Sequence, residues 1–251
     1  MEPIFPIFWL LLVLGPFLVL QRRLHFEVQA ILLLLTRRSD LSIALFSLLF
    51  FPGVLLHEAS HYLMAKILRV PTGNFSLIPQ TVGENRLRMG YVETAQTDLL
   101  RDALIGMAPL LTGGAFVAYA GVVRLNLPVV WDALARTDLL ATLDALAASY
   151  ASPDFWLWLY LLIAVSSTMF PSPSDRRAWL PVAAVFVLVV AAALFFGAGP
   201  WMSENLLPLL NRAVQGVVMV FAISTAVHFA VWLPAWGLRI LLSRVTGYDV
   251  V

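Results

Sequence analysis

The sequence has no cysteine and little charge. Cysteine is absent from its 251 residues, and Lys, Arg, Asp and Glu together make up 12% of them. The absence of cysteine excludes disulfides, thiolate metal ligands and cysteine nucleophiles. The formal net charge is only +1 and basic blocks are absent, so we expect no nucleic-acid partner. Hydrophobic residues reach 61%, and this composition is typical of a membrane protein.

Long apolar stretches predict an all-α polytopic membrane protein with about six transmembrane helices. A membrane-spanning helix needs about 20 mostly apolar residues. The predicted spans cover residues 4–20, 41–68, 103–123, 155–171, 178–199 and 213–242. Residues 25–36 are too short to span alone, and we expect them to lie at the interface or to continue into the next element. The first stretch lacks a preceding basic region and a small-residue cleavage site, so we interpret it as a retained helix.

The stretches divide the chain into three parts. Residues 1–40 hold the N-terminal helix and an interfacial segment, 41–177 the core, and 178–251 the C-terminal helices. In the core, residues 74–97 are polar and contain the turn signal "TVGEN", which predicts a small membrane-associated β-hairpin. Residues 126–153 repeat apolar side chains at helical spacing, which predicts an amphipathic helix on the membrane surface. Because the chain is short and sorting signals are not evident, we expect a multi-pass protein in the lipid bilayer of a prokaryotic inner membrane.

The segment "LLHEASHYLMAKIL" (55–68) places ionisable side chains inside an apolar run. His57 and His61 are four residues apart, so on an α-helix their side chains lie within roughly 40° of one another and can bind one metal ion. Glu58 completes an H-E-x-x-H pattern, which consists of two zinc ligands and a general base. Zinc activates water near neutral pH, and Glu58 can accept the proton and pass it to a leaving amine.

The position of this motif along its apolar stretch bears on the choice between a metal site and packed histidines. On one straight helix from Leu41, the motif would begin roughly 24 Å along the helix, inside the bilayer and towards one face. The alternative is that the two histidines are packed and hydrogen-bonded residues without a metal. The cost of ionisable groups inside a membrane favours the metal site.

The third metal ligand is less obvious from the sequence. A catalytic zinc ion usually has three protein ligands and one open position, and without cysteine the third must be His, Asp or Glu. Asp175, in "SSTMFPSPSDRRAW", is the best candidate, because two prolines hold its segment out of helical geometry. Alternatively, Asp175 lies in a surface turn and pairs with Arg176 or Arg177. The other histidines and competing carboxylates are His25, His228, Glu84 and Glu93.

Three stretches of the core carry a family resemblance. The first is "GVLLHEASHYLMAKIL", the second is "LIGMAPLLTGG" (104–114), and the third is "STMFPSPSDRR". They resemble, in order, the zinc-binding motif, the Gly-x-x-Pro-leading span that follows a membrane-associated β-structure, and the proline-rich aspartate motif of the site-2 protease family of intramembrane zinc metalloproteases. The likeness covers residues 41–200 as an order and spacing of elements. Thr168 stands where the family usually has asparagine, and Arg176 where it has glycine.

The resemblance implies a zinc endopeptidase that cleaves the transmembrane helix of a membrane-protein substrate after that helix unwinds. The site residues that it implies are the zinc ligands His57, His61 and Asp175 and the general base Glu58. The hairpin at 74–97 can pair with unwound substrate by strand addition, or it is a structural cap.

Two other functions remain open. An inactive pseudoprotease that acts as a scaffold or binding partner would share the motif, although the intact Glu58 favours an enzyme. A transporter is disfavoured, because neither repeated halves nor further intramembrane polar residues are evident. We expect His228 to be a hydrogen-bonded packing residue, with a place beside the metal site or along a substrate path as the alternative. The Gly113–Gly114 pair is expected to let helices pack closely, or else to make room for substrate.

Overall fold

The computed structural model describes residues 5–77, 80–82, 86–88 and 90–248 of the chain. The helices are α1 (Phe5–Thr36), α2 (Ser39–Leu49), α3 (Phe51–Ile67), α4 (Leu99–Tyr119), α5 (Leu127–Ala135), α6 (Leu139–Tyr150), α7 (Phe155–Thr168), α8 (Trp179–Phe195), the short α9 (Gly199–Trp201) and α10 (Leu207–Thr246). The strands are β1 (Thr72–Ser76), β2 (Gln80–Val82), β3 (Arg86–Arg88) and β4 (Tyr91–Thr94). Five-residue π-helical turns follow α4 and α9, at Ala120–Arg124 and Met202–Leu206.

Three of the described helical stretches are long and apolar enough to cross a membrane. They are Pro6–Thr36, Leu99–Arg124 and Gly199–Thr246. The α2–α3 pair passes the same test only as a unit bent by 64°, and the apolar helices α7 and α8 have 14 and 17 residues. The described chain is therefore a mainly α-helical protein suited to a membrane, and the number of six spans stays a prediction.

The first predicted span and residues 25–36 form the single helix α1, which packs along the length of α10. Two of the polar residues that follow the apolar run, Gln21 and Glu27, have partners on neighbouring helices. Glu27 is 2% exposed, and Arg239 of α10 donates to its carboxylate at 2.5 Å. Gln21 donates to the Ser167 carbonyl of α7. A buried charge is tolerated when it is paired, so these contacts hold α1 against the rest of the bundle.

The predicted straight helix from Leu41 to Leu56 is wrong, because the chain bends between α2 and α3. Pro52 lies in the first turn of α3, where its missing N–H does not disrupt the helix. The same proline cannot donate to a carbonyl of the preceding helix, so α2 ends at Leu49 and a new axis begins. The distance along the stretch therefore does not convert into a membrane depth of roughly 24 Å.

The two connections predicted in the core are both structured. The β-region is antiparallel, with β1 paired to β4 and β2 paired to β3, so a hairpin is present, although its predicted turn at 83–85 lies outside the described residues. The single amphipathic helix predicted over 126–153 is wrong in form, since two helices, α5 and α6, occupy it. Asp138 begins the second of them by accepting a hydrogen bond from the Ala141 N–H at 3.0 Å, a standard N-cap.

The largest apolar cluster lies where α1, α4, α7 and α10 meet. Its buried members include Phe17, Val117, Val165, Met169 and Phe221. Met169 directly follows the last residue of α7, so burial of this cluster fixes the end of α7 relative to α4. Because lipid tails are as apolar as these side chains, close van der Waals packing rather than exclusion from water holds the cluster together. The cluster thus holds in place the segment that carries Asp175.

Candidate metal centre

Helix α3 places His57 and His61 on one side, with their rings facing each other. The ring centroids are 4.9 Å apart, and the two Nε2 atoms are 3.2 Å apart. This is the result expected of two residues separated by one helical turn. His61 is buried and His57 is half-buried.

A backbone carbonyl holds the other nitrogen of each ring. His57 Nδ1 lies 2.7 Å from the Thr168 carbonyl oxygen at the end of α7. His61 Nδ1 lies 2.8 Å from the Ile105 carbonyl oxygen in α4. Because a carbonyl oxygen only accepts, each Nδ1 must carry the hydrogen, which leaves the Nε2 atoms of the neutral rings with free lone pairs. This is the tautomer of a metal-binding histidine that is oriented by an outer partner.

The turn that follows α7 brings Asp175 to the two histidines. One carboxylate oxygen lies 3.5 Å from His61 Nε2 and the other 3.8 Å from His57 Nε2. The Ser172 N–H donates to the carboxylate at 2.7 Å. Burial acts to raise the pKa of the Asp175 carboxyl, but the His61 imidazole and the hydrogen bonds from Ser172 outweigh it and lower the pKa to about 2. Asp175 is therefore ionised at neutral pH, as a metal ligand must be.

The spacing of the three groups fits a single ion. Their ligand atoms all lie within 4.8 Å of one another. Ligands bound about 2.0–2.2 Å from a tetrahedral centre are roughly 3.3–3.6 Å apart, close to the observed separations of 3.2, 3.5 and 3.8 Å. Without a metal, a proton on His61 Nε2 pairs with the Asp175 carboxylate, and a metal ion at the same point would replace that proton. The geometry and the nitrogen and oxygen donors therefore suit a metal ion.

Three glycines let α7 and the Asp175 turn approach α3 and α4 closely. A Cβ atom on Gly53 of α3 would lie 2.2 Å from the Ala164 carbonyl oxygen of α7, and one on Gly106 of α4 would lie 1.9 Å from the Asp175 carbonyl oxygen. A Cβ atom on Gly113 would lie 2.4 Å from Met169 Cβ. Gly114 makes no such approach, so close packing is confirmed for the first member of the Gly113–Gly114 pair.

The three groups open onto a cavity of about 800 Å³. Glu58 also lines this cavity and is 8% exposed. On the opposite side lie Gly90 and the residues of β4, and a Cβ atom on Gly90 would come within 2.9 Å of Glu58 Cγ. The candidate base, the three candidate ligands and one strand of the β-region therefore share a single chamber.

An ion pair beside the cavity ties the Asp175 turn to the start of α4. Arg177 donates through two nitrogens to the two carboxylate oxygens of Asp102, both at 2.7 Å. The neighbouring Arg176 donates to the Ser172 carbonyl at 3.3 Å. Among the described residues neither arginine forms an ion pair with Asp175, so the alternative of a surface turn with such a pair is not observed. The Asp102–Arg177 pair was not found by sequence reasoning, because 75 residues separate its members.

The other histidines and carboxylates considered as metal ligands are not part of the described group formed by His57, His61 and Asp175. His25 packs edge-on against Phe46 and Phe50. His228 is fully buried, and its Nε2 lies 2.9 Å from Ser167 Oγ. This is the predicted hydrogen-bonded packing role. Ser167 directly precedes Thr168, whose carbonyl contacts His57. Glu93 faces the cavity, but its carboxylate accepts from the Asn74 N–H. Glu84 lies outside the described residues.

Comparison of the chain with protein-family models, with curated protein sequences and with solved structures finds no match.

Proposed function

We propose that this chain is a zinc endopeptidase that hydrolyses peptide bonds of membrane-protein substrates within the bilayer. The observation that carries the proposal is the convergence of His57, His61 and Asp175 on one point at the wall of a cavity that also contains Glu58. Two histidines and a carboxylate form a typical catalytic zinc set, which leaves one position open. The resemblance of the core to the site-2 protease family supports the same chemistry.

The protein groups have distinct roles in this reaction. Zinc, when bound, supplies Lewis-acid activation of water and of the scissile carbonyl. Glu58 accepts a proton from the attacking water and returns it to the leaving amine, a contribution of about 10²–10⁴-fold in rate. The Thr168 and Ile105 carbonyls keep the histidine rings oriented. Because Glu58 lies mostly out of solvent, the proton transfer occurs away from bulk water.

The β-region offers a place for an unwound substrate segment. Strand β4 pairs with β1 along one side, and Val92, Glu93 and Thr94 line the cavity. A peptide bond in a helix is already hydrogen-bonded and sheltered, so cleavage requires an extended segment. Addition of that segment to a strand next to the metal site supplies backbone hydrogen bonds that hold it extended.

Zinc content per chain is the first test. Wild-type protein purified in mild detergent should contain about one zinc per chain, as expected for a single three-ligand site. His57→Ala should lose it, and Glu58→Gln should keep it. The absence of zinc from well-folded wild-type protein, even after zinc is added back, would contradict the metal site.

Proteolysis is tested in membrane vesicles that contain either wild type or Glu58→Gln. New protein termini within transmembrane segments should form with the wild type and be absent with the variant, as measured by mass spectrometry of the vesicle proteins. Zinc binding without any Glu58-dependent cleavage would instead favour an inactive scaffold. Uptake of labelled zinc into vesicles that depends on the chain would favour a transporter.

A further inference from the structure

The backbone partners of the two histidines lie in unusual positions within their helices. Ile105 is in the middle of α4, where a carbonyl oxygen normally accepts from the N–H four residues later. That residue is Pro109, which has no N–H. The Ile105 carbonyl therefore has no backbone donor at the i+4 position. It accepts instead from the His61 Nδ1–H, at 2.8 Å.

The carbonyl that holds His57 lies at a helix end, where the last four carbonyls have no donor within the helix. Thr168 is the last residue of α7, and the next backbone donors that could turn back to it belong to residues 171 and 172. Residue 171 is proline, and the Ser172 N–H donates to the Asp175 carboxylate instead. The Thr168 carbonyl is thus available to the His57 Nδ1–H at 2.7 Å.

We infer that Pro109 and Pro171 are positioning residues, which leave the Ile105 and Thr168 carbonyls without backbone donors so that each can fix the tautomer of one metal-binding histidine. This inference rests on the proposed zinc site and adds the device that orients its ligands. Both prolines are fully buried, and α4 continues as a helix on either side of Pro109. A buried proline inside a continuous helix is unfavourable for the helix itself, so its benefit must lie in the contact that it permits.

Pro109→Ala tests the inference because it restores an N–H at residue 109 and changes little else. The new N–H competes for the Ile105 carbonyl, so His61 loses its partner, and we expect zinc affinity to fall about 10–100-fold. The thermal unfolding temperature of the metal-free variant should not fall, because the gain in helix propensity from proline to alanine outweighs the loss of two buried methylenes. A merely structural role of Pro109 would instead lower stability and leave affinity unchanged.

The measurement is zinc affinity of the full chain in detergent, by competition with a chelator. Pro234→Ala is the matched control, since Pro234 is also inside a long helix but is exposed and does not line the cavity at the metal site, and its zinc affinity should match the wild type. If Pro109→Ala binds zinc with wild-type affinity, the inference is overturned and the proposed function is not affected. Failure of the wild type to bind zinc would overturn the proposed function and the inference with it.

A spectroscopic measurement on the wild type covers the case in which Pro109→Ala does not fold. Nitrogen NMR of metal-free protein at a pH where imidazole is neutral distinguishes the two tautomers of His61. We expect the proton on Nδ1, as the contact with the Ile105 carbonyl requires. A proton on Nε2 would overturn the inference.

Discussion

Replacement of Gly106 by alanine should displace the third metal ligand while leaving α4 intact. A Cβ atom at this position lies 1.9 Å from the Asp175 carbonyl oxygen, whereas ordinary van der Waals contact begins at 3.4 Å. The backbone at Asp175 must therefore move away by about 1.5 Å, and metal–ligand distances vary by only about 0.2 Å. The obstruction is backbone rather than a flexible side chain, so a rotamer change cannot relieve it.

The expected effect of Gly106→Ala is weaker metal binding, without complete loss, because both histidines remain in place. Loss of an outer partner of a ligand already reduces affinity about 10–100-fold, and displacement of a ligand itself should cost at least as much. Zinc affinity measured by chelator competition on the detergent-solubilised protein is the assay. Asp175→Asn should weaken binding similarly, since both changes act on the same ligand.

Gly114→Ala is the matched control for Gly106→Ala, on the same helix. Its Cβ atom would meet only Val220 Cγ1, at 3.8 Å, so no displacement is needed. Alanine in a helix interior is favoured over glycine by about 0.5–1 kcal/mol, and the control should be at least as stable as the wild type with unchanged zinc affinity. Wild-type affinity in Gly106→Ala would refute the role of Asp175 as a ligand held by this close approach.

Three further changes test the site and the bundle around it. Zinc at 100 times its dissociation constant should raise the free energy of unfolding by about 2.7 kcal/mol, and a chelator should reverse this; an unchanged unfolding curve would contradict metal binding to the folded chain. Ser167→Ala removes the hydroxyl that contacts the buried His228 of α10 and should lower zinc affinity. Ser166→Ala is the control, because the Ser166 hydroxyl bonds only within α7. Equal zinc affinities of the two variants would refute a link between His228 and the metal site. Arg239→Leu leaves Glu27 buried without its partner and should cost about 3–5 kcal/mol of stability, unlike the exposed Arg212→Leu; equal unfolding temperatures would contradict a structural role for the pair.

The residues within one turn of each other were predictable from the sequence. His57 and His61 are placed together by helix geometry alone, and the structure needs only to turn that side of α3 inward. Asp175 was also proposed from its proline-rich segment, and the structure brings it to the histidines although more than 110 residues separate them. This prediction was possible because a catalytic zinc usually has three protein ligands, and without cysteine the third had to be His, Asp or Glu.

The features that depend on packing between distant segments were not predictable. The bend between α2 and α3 and the division of 126–153 follow from local breaks in the chain. The continuation of α1 beyond residue 20 is accompanied by partners of Gln21 and Glu27 on other helices. The close approach at Gly106 was not predictable either, because the atom that a Cβ there would meet belongs to Asp175 on another segment. Sequence periodicity predicts which side chains share a face of a helix, but not which backbone segment packs against that face.

The position of Asp175 is fixed by several contacts that do not include a metal. Gly106 admits its backbone, the Ser172 N–H binds its carboxylate, and the Asp102–Arg177 pair ties the following residues to α4. Because each of these contacts joins protein groups, they restrain the Asp175 carboxylate, and a restrained ligand loses little conformational entropy on binding. Restrained ligands of this kind are what the proposed hydrolysis at a defined peptide bond would require.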